Sequence, residues 1–517
     1  MAGKDARSPS KGASSRPGEF DLLEHLEEFL RRGPPLTFLI KGESGTGKST
    51  FLRTLISRVK GPRMFLVYRT SQSPQEGPPP GAATPEISPL LVFDPYASVA
   101  EPAEDASTTV DQSMAGSLAV HQASAPSTDP LSAALDRFVG RGPGIVVLDV
   151  WDPKWDQVLR ALTKGGGAVT EVAGAIPSLR TQLRQLATRA VMSVPPEGDA
   201  AFLSMADGVV ELGREEFEGF ALRVISILKL GDLPTPEPRY LYSLHNGVFS
   251  CPSQLPAGFR PPLGPPDADP DPTEGTLFPG SREFAEAFGR FRYHGLTGFE
   301  VPPRFSYRLS EVFLIPLVAH TLNSGGRVAW IPSATSGTAQ LCSQLRPFVP
   351  PDFLRERLRV LSLGVGDSSV GEYRSVVLPI RREAGGPAAS TEGQPGIGPL
   401  FSEAFDFLRG TAEGKASLYV VSLDGLEALA VVADVPLDAS TFPFVVGTYA
   451  RLPGFHGVGF GRSDDPLAKV LLSSVETHIR VEERHGRTLV LGVRPRTNPF
   501  LLDWSDPSGK YALLPLL

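Results

Sequence analysis

The chain has 517 residues, too many for one hydrophobic core, so at roughly 100–200 residues per domain it divides into two to four domains. Fifty Lys and Arg against 57 Asp and Glu leave a formal charge of −7, which gives no global attraction to phosphate polymers or anionic lipid and argues against a nucleic-acid partner. Gly and Pro, 53 and 51 residues, make about a fifth of the chain against a norm of ~12%, an excess that belongs in loops and linkers.

Residues 1–18 are rich in Ser, Gly, Lys and Arg and predict a mobile tail; they lack the apolar core of a secretory signal. Leu22, Leu23, Leu26, Phe29 and Leu30 recur at helical spacing until Gly33-Pro34-Pro35, and Leu36–Ile40 reads as a strand. The next segment, Gly42-Glu43-Ser44-Gly45-Thr46-Gly47-Lys48-Ser49-Thr50, is a full GxxxxGK[ST] match. Its glycines let the backbone curl so that N–H groups converge on phosphate oxygens, and the helix that follows, from Phe51 to Ile56, presents its positive end there. In that chemistry Lys48 bridges the outer phosphates, the Ser49 hydroxyl ligates magnesium, and Thr50 neighbours the innermost phosphate. The cofactors expected from the motif are therefore a nucleoside triphosphate and Mg2+.

Ten prolines fall between Pro74 and Pro130, and residues 100–128 have no periodicity, so a disordered insertion is expected there, preceded by a short strand at Leu90–Phe93. Helix 131–139 leads into Ile145-Val146-Val147-Leu148-Asp149, an apolar strand ending in acid. Parallel sheets place ligands at the C-terminal ends of their strands, which makes Asp149 the candidate for orienting magnesium-bound water. Further strands are expected at 190–194, 208–212 and 222–228. Strand and helix alternate throughout, the pattern of an α/β sheet covered on both faces.

The loop, the Asp149 strand, the run Met205-Ala206-Asp207-Gly208-Val209-Val210-Glu211-Leu212, the strand over Leu222–Leu230 and Tyr240–Phe249 together resemble the ATPase domain of KaiC and other RecA-like proteins over residues 20–255. The strand end Tyr68-Arg69-Thr70-Ser71 is similar to the archaeal GvpD-like branch of P-loop regulators. The resemblance implies a RecA-like fold that binds Mg–ATP. It also implies paired glutamates after the second strand to polarise water; here Tyr68–Pro74 contains none, Gln72 is the candidate for positioning that water and Glu76 is close in sequence on a Pro-rich loop, so slow or assisted hydrolysis is expected. Ring-forming relatives carry Lys-x-Arg after the late strand to reach a neighbour's phosphate. This chain has Lys229-Leu230-Gly231, which keeps the lysine alone and halves that contact, so a homo-oligomer is possible on this reading without a full bridging pair.

Pro261–Gly280 has seven prolines and four acidic groups, and a Pro-rich linker is expected over 256–280 between a first domain at 19–255 and a second at 281–517. The second half repeats the α/β texture: helix 311–322, strand 327–331, helix 339–345, strand 358–363, a flexible stretch near 383–399, then strands at 418–423, 431–435, 444–446, 478–483 and 488–493. After strand 327–331, Pro332-Ser333-Ala334-Thr335-Ser336-Gly337-Thr338-Ala339 has the length of the phosphate loop with Pro, Thr and Ala at its chemical positions. The expectation is a degenerate second RecA-like copy, with Asp424 ending an echo of the Asp149 strand. Gly457–Gly461 is expected to be a turn.

The best apolar run, Val312–Val318, is about a third of a bilayer span, so no membrane contact is expected and the cytoplasm follows. Cys251 and Cys342 lack ligand company, which points to a reducing compartment without zinc or a disulfide framework. The function expected is a Mg–ATP-dependent regulator or scaffold with a protein partner; the alternative is a DNA-dependent ATPase of the recombinase type.

Overall fold

The computed structural model describes residues 21–32, 36–59, 63–68, 91–94, 119–122, 145–150, 189–194, 203, 206–235, 237–252, 264–303, 307–362, 375–379, 398–411, 415–433, 437, 454–504 and 508–516. These form two compact units, Asp21–Cys251 and Pro252–Leu516, each mixed α/β. No helix among the described residues is long and apolar enough to cross a membrane.

The first unit begins with helix Leu22–Arg31. Asp21 caps it by accepting from the N–H groups of Leu23 (2.8 Å) and Glu24 (3.3 Å), and the five apolar residues of the sequence pattern form its buried face. Its strands are β1 (Leu36–Gly42), β2 (Arg63–Tyr68), β3 (Leu91–Asp94), β4 (Ala119–Gln122), β5 (Ile145–Val150), β6 (Arg189–Val194), β7 (Gly208–Phe217), β8 (Phe220–Leu230) and β9 (Arg239–Leu241). They make one sheet in the order β4-β3-β2-β5-β6-β1-β7-β8-β9. The stretch from β2 to β7 is parallel, which is why β1 and β5 read as near-continuous apolar runs: Phe38, Leu39, Ile40 and Val147 are fully buried. Strand β4 lies inside the insertion expected to be disordered; Ala119–Gln122 pairs antiparallel with β3, which satisfies the backbone groups on that side. The remainder of 100–128, the tail at 1–18 and helix 131–139 lie outside the described residues.

The second unit holds a two-stranded ribbon, β10 (Thr276–Leu277) and β11 (Phe291–Arg292), and a sheet of β12 (Leu296–Val301), β13 (Arg327–Ile331), β14 (Leu358–Ser362), β15 (Val377–Pro379), β16 (Ser417–Ser422), β17 (Phe455–Arg462), β18 (Thr477–Arg484), β19 (Arg487–Arg494), β20 (Phe500–Asp503) and β21 (Ala512–Pro515). The order is β15-β14-β13-β16-β17-β12-β18-β19-β20-β21. Alternate residues feed two cores: Val328, Trp330, Leu418 and Val420 face one with Phe299, Phe313 and Phe460, while Ala329, Ile331 and Tyr419 face the other with Leu423, Phe455 and Leu471.

Seven strands of each sheet share one connectivity, while the edge beyond β2 is antiparallel and that beyond β13 parallel. Ranked first to seventh in chain order, β1, β2, β5, β6, β7, β8 and β9 are met across the first sheet as second, third, fourth, first, fifth, sixth and seventh, and β12, β13, β16, β17, β18, β19 and β20 are met in the same order across the second. Register agrees in detail. Lys41 lies opposite Glu211 and pairs with it at 3.1 Å; Glu300 lies opposite Arg480 and pairs with it at 2.8 Å, the charges reversed. The N–H of Asp207 donates to Thr37 O (2.9 Å) as that of Glu476 donates to Leu296 O (3.0 Å).

This correspondence corrects the position assigned to the second phosphate-loop counterpart. Residues 332–339 follow β13, the second strand of their set. In chain order, five residues, 302–306, separate Val301 at the end of β12 from Tyr307 at the start of a helix, as five separate Gly42 from Lys48; 304–306 lie outside the described residues. By the same register Ser422 stands where Asp149 does.

Three further expectations change. Residues 264–280 do not behave as a tether: Asp267 pairs with Lys510 and accepts from the Arg282 N–H (2.8 Å), and Asp269 pairs with Arg290, so the acids of this stretch anchor it to the second unit. Residues 431–433 end a helix, Leu423–Ala433, because Leu423, Leu426, Leu429 and Ala430 bury at helical spacing; 434–435 and 444–446 lie outside the described residues. Gly457, Gly459 and Gly461 sit in strand β17. A Cβ there would meet Leu296, Leu471 and Ala468 at 2.3–2.5 Å, so the glycines let flanking side chains lie directly on the strand.

Candidate functional site

The segment 42–50 joins β1 to helix Lys48–Arg58 at the C-terminal edge of the parallel strands. Gly42 packs against β7 so closely that a Cβ would stand 2.4 Å from the main-chain oxygen of Leu212; Gly45 (φ +76°) and Gly47 (φ +85°) are left-handed. Thr46 is wholly buried and its hydroxyl donates to Glu43 O at 2.8 Å, closing the curl, while Glu43, Ser44 and Gly45 face solvent. Ser49 and Thr50 are half-buried in the helix's first turn. Gly47 caps that helix without a side chain, leaving its first N–H groups to a ligand. Replacing Gly42 with Ala is expected to lower first-unit stability by about 1–3 kcal/mol in urea unfolding, whereas Gly213→Ala, with no atom within 4 Å of its added Cβ, stays within about 0.5 kcal/mol.

Lys48 reaches back into the curl and donates to Gly42 O (2.6 Å) and Glu43 O (2.7 Å). Burial pushes its ammonium below the ordinary 10.5, against the opposing pull of Asp149 and Glu43. Asp149 is 6% exposed near the end of β5 and accepts from the Ser193 hydroxyl of β6 at 2.9 Å. Asp149 is thus near enough to Lys48 to act electrostatically on its ammonium. Gln72 lies outside the described residues.

Sequence reasoning missed what braces the loop. The Tyr242 hydroxyl donates to Thr46 O at 2.5 Å in a buried bond, Leu244 fills the space beside Gly47, and Phe249 stacks on Tyr242 (4.8 Å) and touches Phe51 (4.7 Å). Nothing in the spacing of 240–249 signals this, because the contacts close almost two hundred residues of chain. Lys229 donates to Ala206 O at 2.6 Å, tying β8 to the approach of β7.

In the second unit Asp424 accepts from the Ser333 hydroxyl (2.5 Å) and the Ala334 N–H (3.1 Å) and bonds Ser422, so it fastens the loop after β13. At the opposite end of these strands a cavity of about 820 Å³ opens beside Phe278, Tyr293, His320 and Phe455. Among the described residues no group of three or more His, Cys, Asp or Glu is placed to hold a metal. A magnesium–nucleotide site needs none, since Mg2+ keeps waters and takes one or two protein ligands beside the phosphates.

No known protein-family model matches the chain, and no curated protein matches it significantly.

Proposed function

We propose that the first unit binds ATP with Mg2+ and that the chain is a tandem RecA/KaiC-like protein, cytoplasmic, in which this nucleotide governs contact with a protein partner. The observation that carries the reading is the Lys48 amine held inside the curled 42–47 loop with Asp149 close enough to act on it. The residues fit the group: three glycines whose conformation or crowding excludes a Cβ, an uncapped helix start, one lysine and one strand-borne acid. Gly42–Gly47 would wrap the phosphates with main-chain N–H groups, Lys48 would turn from the loop carbonyls to the outer phosphates, and Ser49 and Asp149 would hold Mg2+, Asp149 through water. The metal supplies neutralisation of phosphate charge when bound.

The stretch 68–74 contains no carboxylate, so proton removal from an attacking water has no strong acceptor there; slow or partner-assisted turnover follows, and regulation suits the site better than motor work. The repeated strand order supports the tandem reading, and Pro302–Ser306 offers neither the lysine nor the glycines, so the second unit contributes fold without phosphate chemistry.

Titration calorimetry of the whole chain with Mg–ATP tests this. One site per chain is expected, weakened by EDTA. No binding would end the nucleotide reading, and two sites would end the assignment of the second unit as degenerate.

A further inference from the structure

Arg214 occupies the open side of the loop. Strand β7 accompanies β1 as far as Leu212, opposite Gly42, then continues past the edge of the parallel strands as a ribbon with β8. Arg214 stands on that overhang, exposed, with its Nη2 3.5 Å from where a Cβ on Gly45 would lie. Among the described residues no carboxylate pairs with it.

Its neighbour across the ladder is Arg223. Both guanidiniums lie close enough to act on Tyr242, whose hydroxyl holds Thr46 O in the loop.

The loop itself is poorly supplied with positive charge. Lys48 is its single cation and already faces Asp149 and Glu43, while a triphosphate carries more charge than one ammonium neutralises. The inner phosphate belongs at the helix start, Gly47–Thr50, so the tip at Gly45 faces the outer end of the chain of phosphates. We propose that Arg214, from the same chain, grips the outermost phosphate of a nucleoside triphosphate held in the loop, so that the site separates triphosphate from diphosphate. This rests on the nucleotide reading above.

The test is calorimetric titration of the full chain and its Arg214→Ala and Arg214→Lys variants with Mg–ATP and Mg–ADP. Arg214→Ala is expected to weaken ATP about 10-fold or more and ADP less than about 2-fold, and Arg214→Lys to recover part of the loss, since it keeps the charge without the planar fork. The thermal midpoint of the ligand-free Ala variant should be unchanged within about a degree or two, because Arg214 is exposed and its removal opens no core. Equal losses for ATP and ADP, or no loss, would overturn the proposal. A wild-type chain that binds neither nucleotide would instead sink the underlying reading.

Discussion

Lys48→Ala is expected to lower Mg–ATP affinity by about 100-fold or more while leaving the far-ultraviolet circular dichroism of the chain unchanged. Hydrogen bonds to charged groups contribute about 1.5–3 kcal/mol each, and this amine is, among the described residues, the cation held inside the curl where it would bridge two phosphates. Lys48→Arg should fail nearly as badly, because a planar fork does not fit a space shaped by two carbonyls only 2.6 and 2.7 Å from a point charge. The pH dependence follows from the same burial. The unliganded ammonium loses its proton below the ordinary 10.5, and bound polyphosphate favours the charged form, so binding takes up a proton in the window between those two states. Affinity should therefore fall as pH rises through that window in the wild type and stay flat in Lys48→Ala. Calorimetry over a pH series in which both proteins show the same slope would remove Lys48 from the site.

The loop was legible because its chemistry is contiguous: nine adjacent residues carry the curl, the charge and the hydroxyl, and a strand and a helix flank them. Asp149 was legible for a related reason, since an apolar run that ends in acid marks a buried parallel strand at its ligand end. Arg214 and Tyr242 were not. Arg214 reaches the loop on β7, which pairs with β1 across a long stretch of chain, and Tyr242 follows β9, two strands further out, so no local period records either approach.

The second unit shows the same limit more sharply. Residues 332–339 have the right length and follow a strand, and only the order β13-β16-β17-β12 reveals that the strand is the wrong one. Length alone could equally have selected Pro302–Ser306, where two prolines and no glycine hide the correspondence. The correction over 431–433 has another origin. Valine pairs favour strands in isolation, but Leu423, Leu426, Leu429 and Ala430 bury on one side, and tertiary packing overrides the local preference. In 264–280 the proline content argued for a linker because the partners of Asp267 and Asp269, Lys510 and Arg290, are remote in sequence.

Acidification is expected to destabilise the second unit through His456 before its paired carboxylates titrate. The ring is 2% exposed and stacks on Phe291 at 4.8 Å, with Nδ1 2.7 Å from Arg292 O and Nε2 3.2 Å from the Thr297 hydroxyl. A carbonyl only accepts, so Nδ1 carries the hydrogen and Nε2 accepts from Thr297, leaving a neutral ring. Burial pushes its pKa down to about 4, opposed by the bond to Arg292 O. The unfolded ring takes its proton near the ordinary 6.5, so between these values the unfolded chain binds more protons. Stability is then complete above pH 6.5 and falls as pH drops through about 4, by about 3 kcal/mol in all, of which about 2 kcal/mol is gone by pH 5. Glu300, Asp267 and Asp269 are all held below the usual carboxylate range, so their losses come later. Urea unfolding of the full chain, read by hydrogen exchange in peptides from 455–462, separates the two contributions. His456→Phe keeps an aromatic ring against Phe291, gives up two hydrogen bonds and should be less stable at pH 7.5, yet lose little more between pH 7.5 and 5. If the wild type and the variant decline in parallel over that interval, His456 is not the group that titrates.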